Sequence, residues 1–419
     1  MIHFGIICPP AYGHLNPMTA LGHELKERGH RVTVISTAYA KSLAQAAGLE
    51  FQEIGSSYVY QSKDPAKQPG LSGIRAALYQ IKEFAEEADM CLREAPEVVS
   101  RCHIEALLVD QASPEGGTVA EYLNIPFISI ASAVLSNMDS SVPPSYISAN
   151  YDPSWQGVLR NKIAYFAQNL VSKTITKSIN AHRQRWSLPL HHHPNQRYSQ
   201  LAQISQQPAE FEFPHQKLAQ CFHFTGSFSN PSSRESVSFP YDKLTGQPLI
   251  YASMGTVTNG LYWIFKMIVA ACTDLDAQLV IGLGGASADS LTKLPDNTIA
   301  VRYAPQLELL QRASLTITHA GLNTTLESLS YGVPMVAIPI TADQPGSAAR
   351  IAWTGSGVVI PLKKVSIAKL RKAITQVLTD DSYRQNALRL QANIKQGGGT
   401  SRAADIIEQA VSSNSPVLA

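Results

Sequence analysis

The sequence has no excess of charge of either sign. Lysine and arginine number 34 and aspartate and glutamate 32, so 419 residues carry a net charge of +2. A balance this close to zero offers no field for a nucleic-acid backbone. Paired cysteines are absent as well. Cys8, Cys91, Cys102, Cys221 and Cys272 are odd in number, scattered and without CxxC spacing. They read as reduced thiols of a cytoplasmic protein. No apolar run reaches the ~18 residues that a spanning helix needs. The opening MIHFGIICPP lacks a basic stretch ahead of its short apolar run, so it reads as a first strand rather than a signal peptide.

Metal and dinucleotide signatures are also incomplete. The HHHP run turns His191, His192 and His193 in different directions, with no carboxylate or thiol beside them. Asp274 and Asp276 of TDLDA fall between a helical run and a buried strand, where a turn needs them. GLGGAS places Ser287 where the third glycine of a GxGxxG fingerprint belongs. No metal site and no bound cofactor is expected.

What remains is a globular composition, 44% hydrophobic and 16% charged. The chain is too long for one ordinary core, which predicts two domains of roughly 200 residues. HFGIIC, an amphipathic MTALGHELKERGH and RVTVIST form a strand–helix–strand unit, with PPAYGHLNP as the connecting loop. EALLVDQ, TVAEYLN and IPFISIAS repeat the pattern. This alternation predicts a doubly wound parallel sheet. From about Val142 to Gln220 the pattern weakens, although Leu159, Ile163, Phe166 and Leu170 keep helical spacing. Residues 227–247 are rich in Ser and Pro and read as an interdomain linker. A second α/β series runs from PLIYASMG to GVVIP, and helices follow it. Ligands of such sheets bind beyond the carboxyl ends of the strands.

One run is denser in polar groups than packing requires: THAGLNTTLESLSYGVPMVAIPITADQ, 318–344. His319 ends a buried strand, and Asn323, Thr324 or Thr325 is suited to cap the helix that follows. Gly321 lets a ligand approach the backbone. Free N–H groups at a helix start favour a phosphate. Glu327, one turn further on, can accept from a ribose diol. Asp343 and Gln344, at the end of the next strand, can bind sugar hydroxyls. The order of groups is phosphate, ribose, hexose.

The longer run RYAPQLELLQRASLTITHAGLNTTLESLSYGVPMVAIPITADQ resembles the donor-binding signature of family 1 UDP-dependent glycosyltransferases. GHLNP, the VDQ strand end and ASMGT occur in the family's order, so the resemblance covers nearly the whole chain. DQPGSAARIAWTGSGV is also similar to the bacterial zeaxanthin glucosyltransferase branch. The resemblance implies a GT-B fold: two facing Rossmann-like α/β domains with a cleft between them. It implies acceptor binding in 1–228, a linker at 229–247, UDP-sugar binding in 248–395, and a C-terminal helix in 396–419 packing back on the first domain. It also implies that Gly255, Thr256, His319, Gly321, Asn323 and Thr324 hold the diphosphate. Glu327 would take the ribose, Tyr303, Ala304 and Gln306 the uracil, and Asp343 and Gln344 the sugar. Two departures bear on nucleotide affinity and sugar choice. Tyr303 stands where plant members carry Trp, and Pro-Gly-Ser follows Gln344 where many relatives carry Asn.

Transfer to a hydroxyl needs a base. His14 in AYGHLNP lies just after the first strand, and Asp110 at the end of another strand can orient it. The expected reaction is one in-line displacement that inverts the anomeric centre, with glucose as the sugar and a small lipophilic hydroxylated aglycone as the acceptor. Val134, Trp155 and Phe166 are candidate acceptor contacts. Arg160, Lys162, Lys173 and Lys177 on the helix from Leu159 read either as a solvated face or as a peripheral contact with a membrane surface. Rival readings are a UDP-N-acetylglucosamine 2-epimerase and a non-catalytic partner of another transferase. The first needs no His14–Asp110 pair in this form, and the second would be expected to lose His14 or the donor signature.

Overall fold

The structure is a computed structural model that describes residues 1–56, 74–215, 217–234, 237–255, 262–284, 291 and 294–419, and the side chains of these except 74–81 and 232. Short runs rich in Val, Ile, Leu and Ala form strands that helices cover on both faces, as buried parallel sheets require. In the first half the strands are β1 (His3–Ile7), β2 (Arg31–Ser36), β3 (Glu50–Glu53), β4 (Ala106–Asp110), β5 (Phe127–Ala131), β6 (Gln203–Ser205) and β7 (Phe222–Phe224). In the second they are β8 (Leu249–Ser253), β9 (Gln278–Gly282), β10 (Thr298–Val301), β11 (Ala313–Thr318), β12 (Met335–Ala337) and β13 (Gly357–Val359). The helices are α1 (Tyr12–Glu27), α2 (Lys41–Ala46), α3 (Ile74–Arg101), α4 (Gly116–Leu123), α5 (Trp155–Arg185), α6 (Tyr262–Cys272), α7 (Gln306–Leu310), α8 (Leu322–Ser330), α9 (Gln344–Trp353), α10 (Ile367–Thr379), α11 (Asp381–Gly397) and α12 (Gly399–Ser413).

The strands of the first sheet lie in the order β3-β2-β1-β4-β5-β6-β7, and those of the second in the order β10-β9-β8-β11-β12-β13. Every recorded pairing is parallel. The chain is therefore α/β with two doubly wound sheets. Winding reverses between β1 and β4 in one sheet and between β8 and β11 in the other. At each reversal the connections leave in opposite directions and open a crevice beyond the carboxyl ends of the strands. His14 and Asp110 follow β1 and end β4. Gly255 and His319 follow β8 and β11.

Ala403, Ala404, Ile406, Ile407 and Ala410 of α12 are buried in the same core cluster as Phe4 and Ile6 of β1 and Leu21 of α1. Arg28 reinforces this contact through Asp405 at 2.7 Å and Glu408 at 3.0 Å. The stretch between β7 and β8 is pinned at two points. Phe228 lies in the first core and Phe239 in a cluster beneath the second sheet.

Three local expectations need correction. PPAYGHLNP is not all loop: α1 begins at Tyr12 and contains Pro17. Asn323 and Thr324 do not cap α8, whose N-cap is Gly321, with no side-chain cap bond. Asp343 does not end a strand. It precedes the first residue of α9, well beyond the end of β12.

Candidate active site

On the first sheet, α1 begins directly after β1, so His14 is held in the first turn of a helix. Its Nδ1 lies 3.0 Å from Asp110 Oδ2 and 2.9 Å from Ser132 Oγ. The Ser132 hydroxyl donates to the same Asp110 oxygen. Asp110 Oδ1 accepts from the Ala112 N–H at 2.8 Å. With acceptors on this side, the imidazole keeps its proton on Nδ1 and leaves Nε2 as the basic atom. Asp110 is almost fully buried and the His14 side chain 23% exposed, so the carboxylate is fixed while the ring can reach a ligand. Burial alone would lower the His14 pKa. The charge and hydrogen bond of Asp110, with Asp343 and Glu87 behind, outweigh it and leave the pKa raised.

Across the cleft, Gly255 and Gly321 leave room for the His319 ring. A Cβ on Gly321 would fall 2.5 Å from His319 Nε2, and one on Gly255 2.7 Å from it. Gly255 also holds φ +78°, which favours glycine. Burial pushes the His319 pKa down to about 4, against a smaller opposing effect of the Ser253 backbone, so the ring is neutral at pH 7. Ala320 takes a left-handed φ of 63° to turn the chain from β11 into α8. Thr256 lies outside the described residues.

Glu327 is buried and its carboxylate is already engaged. It accepts from Gln306 Nε2 at 2.6 Å and from the Arg234 guanidinium. Gln306 in turn reaches Thr324 Oγ at 3.4 Å and accepts from Tyr251 at 3.1 Å. Tyr303 is exposed, with Arg302 5.7 Å above its ring, and Ala304 is half-buried nearby in sequence. Gln344 directs its side-chain oxygen back to the N–H groups of Ile340 and Thr341, at 2.9 and 3.0 Å.

The two halves are joined beside His14. Pro17 has no N–H, so the Gly13 carbonyl, four residues back, has no ladder partner within α1. Asn323 Nδ2 fills the gap, donating to Gly13 O at 2.7 Å, one residue from His14. Gln206 donates to Asn323 Oδ1 at 2.8 Å and to the Ser132 carbonyl. The Val134 N–H donates to Asp343 Oδ2 at 3.1 Å. Burial raises the Asp343 pKa, against the opposing effects of Val134 and His14. Behind this line the buried Arg350 meets Glu212, at 2.8 Å from Nε. Burial would raise the Glu212 pKa, but the charge of Arg350 and the His215 bond bring it down to about 2.

Beyond β4, the residues after Asp110 line a cavity of about 220 Å³. Gln111, Ser113, Glu115, Met138, Gln168 and Arg197 are among its walls. Burial pushes the Glu115 carboxyl up to about 8, with Glu87 adding to it against the helix N–H and Arg197. The three apolar acceptor candidates lie elsewhere. Val134 is packed among Phe211, Leu322 and Leu326 in a core cluster. Trp155 and Phe166 are on the outer side of α5, exposed.

The arrangement thus joins a carboxylate-held imidazole to the glycine-lined turn between β11 and α8 through Asn323. The model for the UDP-glucoronosyl and UDP-glucosyl transferase family matches residues 6–396. The chain belongs to this family. Its members use nucleotide-sugar donors and act as glycosyltransferases. Zeaxanthin glucosyltransferase of Pantoea ananas is 33% identical over 427 residues, spanning 100% of this chain and 98% of that protein. Zeaxanthin glucosyltransferase of Pseudescherichia vulneris is 31% identical, with 100% of both covered. Among solved structures, the glycotransferase of kitacinnamycin superposes with a TM-score of 0.76 at 22% identity, over 98% of each chain. That likeness shows the GT-B fold, two parallel-sheet Rossmann-like domains.

Sequence reading missed three residues of this transferase. Ser132 and Gln206 are ordinary strand-end polar residues until the fold brings them to His14 and Asn323. Arg234 sat inside the linker. Its only sequence signal was that it is one of two cations, with Lys243, in a Ser-rich stretch.

Proposed function

We propose that the protein transfers glucose from UDP-glucose, with inversion, to a hydroxyl of a lipophilic aglycone of the carotenoid or terpenoid class. The observation that carries this reading is the Asn323–Gly13 bond, which sets the donor turn one residue from the base. His14 Nε2 takes the acceptor proton, and the acceptor oxygen forms its bond to the anomeric carbon. The bond from that carbon to the diphosphate oxygen breaks, and UDP leaves with the electron pair. Asp110 and Ser132 hold the resulting imidazolium. The α-linked donor becomes a β-glycoside.

The N–H groups at the start of α8 and the neutral His319 ring receive the diphosphate, so the reaction proceeds in chelator. Ribose hydroxyls share Glu327 with Gln306 and Arg234, because a carboxylate offers about four acceptor sites. The Gln344 amide nitrogen is left for the sugar. The cavity beside Gln111 receives the acceptor, and Glu115, protonated at pH 7, can donate to an acceptor oxygen. The names of the two zeaxanthin glucosyltransferases support the sugar and the acceptor class.

The test is turnover of UDP-glucose with a panel of hydroxylated carotenoids, terpenoids and polyphenols in chelator, with the anomeric configuration read by proton NMR. A β-linked product is expected. An α-linked product, donor turnover without acceptor, or loss of rate in chelator would overturn the corresponding part.

A further inference from the structure

Helix α5 runs 31 residues, Trp155–Arg185, and contains no aspartate or glutamate. It carries Arg160, Lys162, Lys173, Lys177, Arg183 and Arg185 in a chain whose whole net charge is +2. The apolar side chains on it are not where a soluble helix keeps them. Trp155 is 70% exposed, Leu159 48%, Ile163 62%, Phe166 65% and Leu170 58%. At about 100° per residue these five fall within an arc of about 80°. Gly157, Asn161, Tyr165 and Ile179 are buried on the opposite side. The exposed Lys173 and Lys177 continue the apolar arc toward the C-terminus, and the exposed Lys162 borders it.

A contiguous apolar stripe of this kind is uncommon on a surface facing only water. Its flank and extension are cationic, and no acid on the helix itself neutralises them. Asp89 of α3 meets His182, on the buried side, at 2.9 Å. Asp152 turns back onto the Ser154 N–H at the helix start, 2.9 Å away. Apolar side chains that enter the acyl boundary, with lysines at headgroup level, describe a helix lying in a membrane interface. Among the described residues no helix is long and apolar enough to cross a membrane.

We infer that the outer face of α5 docks the protein on an anionic lipid surface. The same helix contributes Gln168, Asn169, Ser172 and Ile175 to the cavity wall. These four lie outside the apolar arc, mostly on the inward side of the helix, so docking holds the cavity one helix diameter, ~10 Å, from the bilayer in which a lipophilic acceptor resides. The inference stands on the helix and does not depend on which acceptor is used.

The test is co-sedimentation of the full chain with phosphatidylcholine vesicles, with and without phosphatidylglycerol, at low and high salt. Binding is expected with phosphatidylglycerol at low salt and lost at high salt. Each lysine near an anionic surface contributes about fivefold, so Lys173→Gln/Lys177→Gln lowers the partition coefficient about 30-fold. Ile163→Ser and Leu170→Ser each lower it roughly tenfold. UDP affinity, measured by calorimetry on the same proteins, stays unchanged and shows that each is folded. Failure to bind anionic vesicles, or binding that these variants leave intact, overturns the inference. A wild-type dimer in sedimentation velocity that Ile163→Ser dissolves, without vesicle binding, would assign the stripe to a second copy of the chain instead. Because vesicle binding and UDP binding are read separately, failure here leaves the transfer reading standing, and the converse holds.

Discussion

Asp110→Asn changes one atom and keeps the shape. The consequence follows from the bonds around it. The Ala112 N–H fixes a carbonyl-type oxygen at the Oδ1 position, 2.8 Å away. The new NH2 group therefore occupies the Oδ2 position and faces His14 Nδ1 and Ser132 Oγ. A donor now meets a donor at Nδ1. The imidazole relieves the conflict by moving its proton to Nε2, which turns the basic atom into a donor. General-base assistance is worth roughly 10²–10⁴-fold, or about 3–5 kcal/mol of barrier. We expect kcat to fall by that range at neutral pH.

The pH profile gives a second reading. In the wild type the base must be neutral, so kcat rises with pH through the raised His14 pKa. Asp110 supplies the largest upward contribution to that pKa, so the acidic limb in Asp110→Asn moves to lower pH. UDP affinity by calorimetry should stay within about twofold, far below a tenfold change, which is worth 1.4 kcal/mol. Wild-type kcat in Asp110→Asn, an unmoved limb, or a parallel loss of UDP binding would each refute the reasoning.

Other perturbations have outcomes that separate structure from site. Gly321→Ala puts a Cβ where the His319 ring lies, so UDP affinity should drop at least about tenfold while thermal stability changes little; unchanged affinity in calorimetry would remove His319 from the diphosphate site. Glu115 has a folded pKa raised from 4.5 to about 8, so its contribution to stability is present below pH 4.5 and fades as pH rises toward 8. Over that window the loss is on the order of 5 kcal/mol, and denaturant titrations of Glu115→Gln should show a flatter pH dependence than the wild type. Arg350→Met leaves Glu212 buried without its guanidinium partner, with His215 and Gln207 still beside it, and should cost about 3 kcal/mol in denaturant unfolding, with part recovered in Arg350→Met/Glu212→Gln; an additive double variant would disprove the coupling.

Sheet architecture was legible because buried parallel strands write themselves as apolar runs: ALLVD of β4 and LIYAS of β8 are buried throughout. Strands β6 and β7, QIS and FHF, were not. Gln203 and Ser205 flank a single apolar residue and His223 splits the other pair, so neither stretch shows the apolar run that makes the equally short MVA of β12 and GVV of β13 visible. The start of α1 was hidden by Pro17, which read as a loop signal although a proline six residues into a helix removes one bond. That lost bond is the one Asn323 replaces, so the misread feature joins the two halves of the site. His14, Asp110 and the 318–344 run stood out because they recur in a known order with a chemical reason for each. Ser132, Gln206 and Arg234 did not: their bonds to Asp110, Asn323 and Glu327 span 22, 117 and 93 positions, and such pairing leaves no local trace. Trp155 and Phe166 were read as candidate acceptor contacts from their apolar character and their place in the first domain. Periodicity gave the helix they belong to, but not which face of it would be covered.

The most direct test of the central claim is paired measurement on His14→Ala: transfer from UDP-glucose to a lipophilic acceptor by mass spectrometry, and UDP binding by calorimetry. Transfer should fall about 10²–10⁴-fold while UDP binding is retained, because the base touches the acceptor and the donor turn lies on the other sheet. Transfer at the wild-type rate, or a wild-type chain that binds no UDP, would contradict the account.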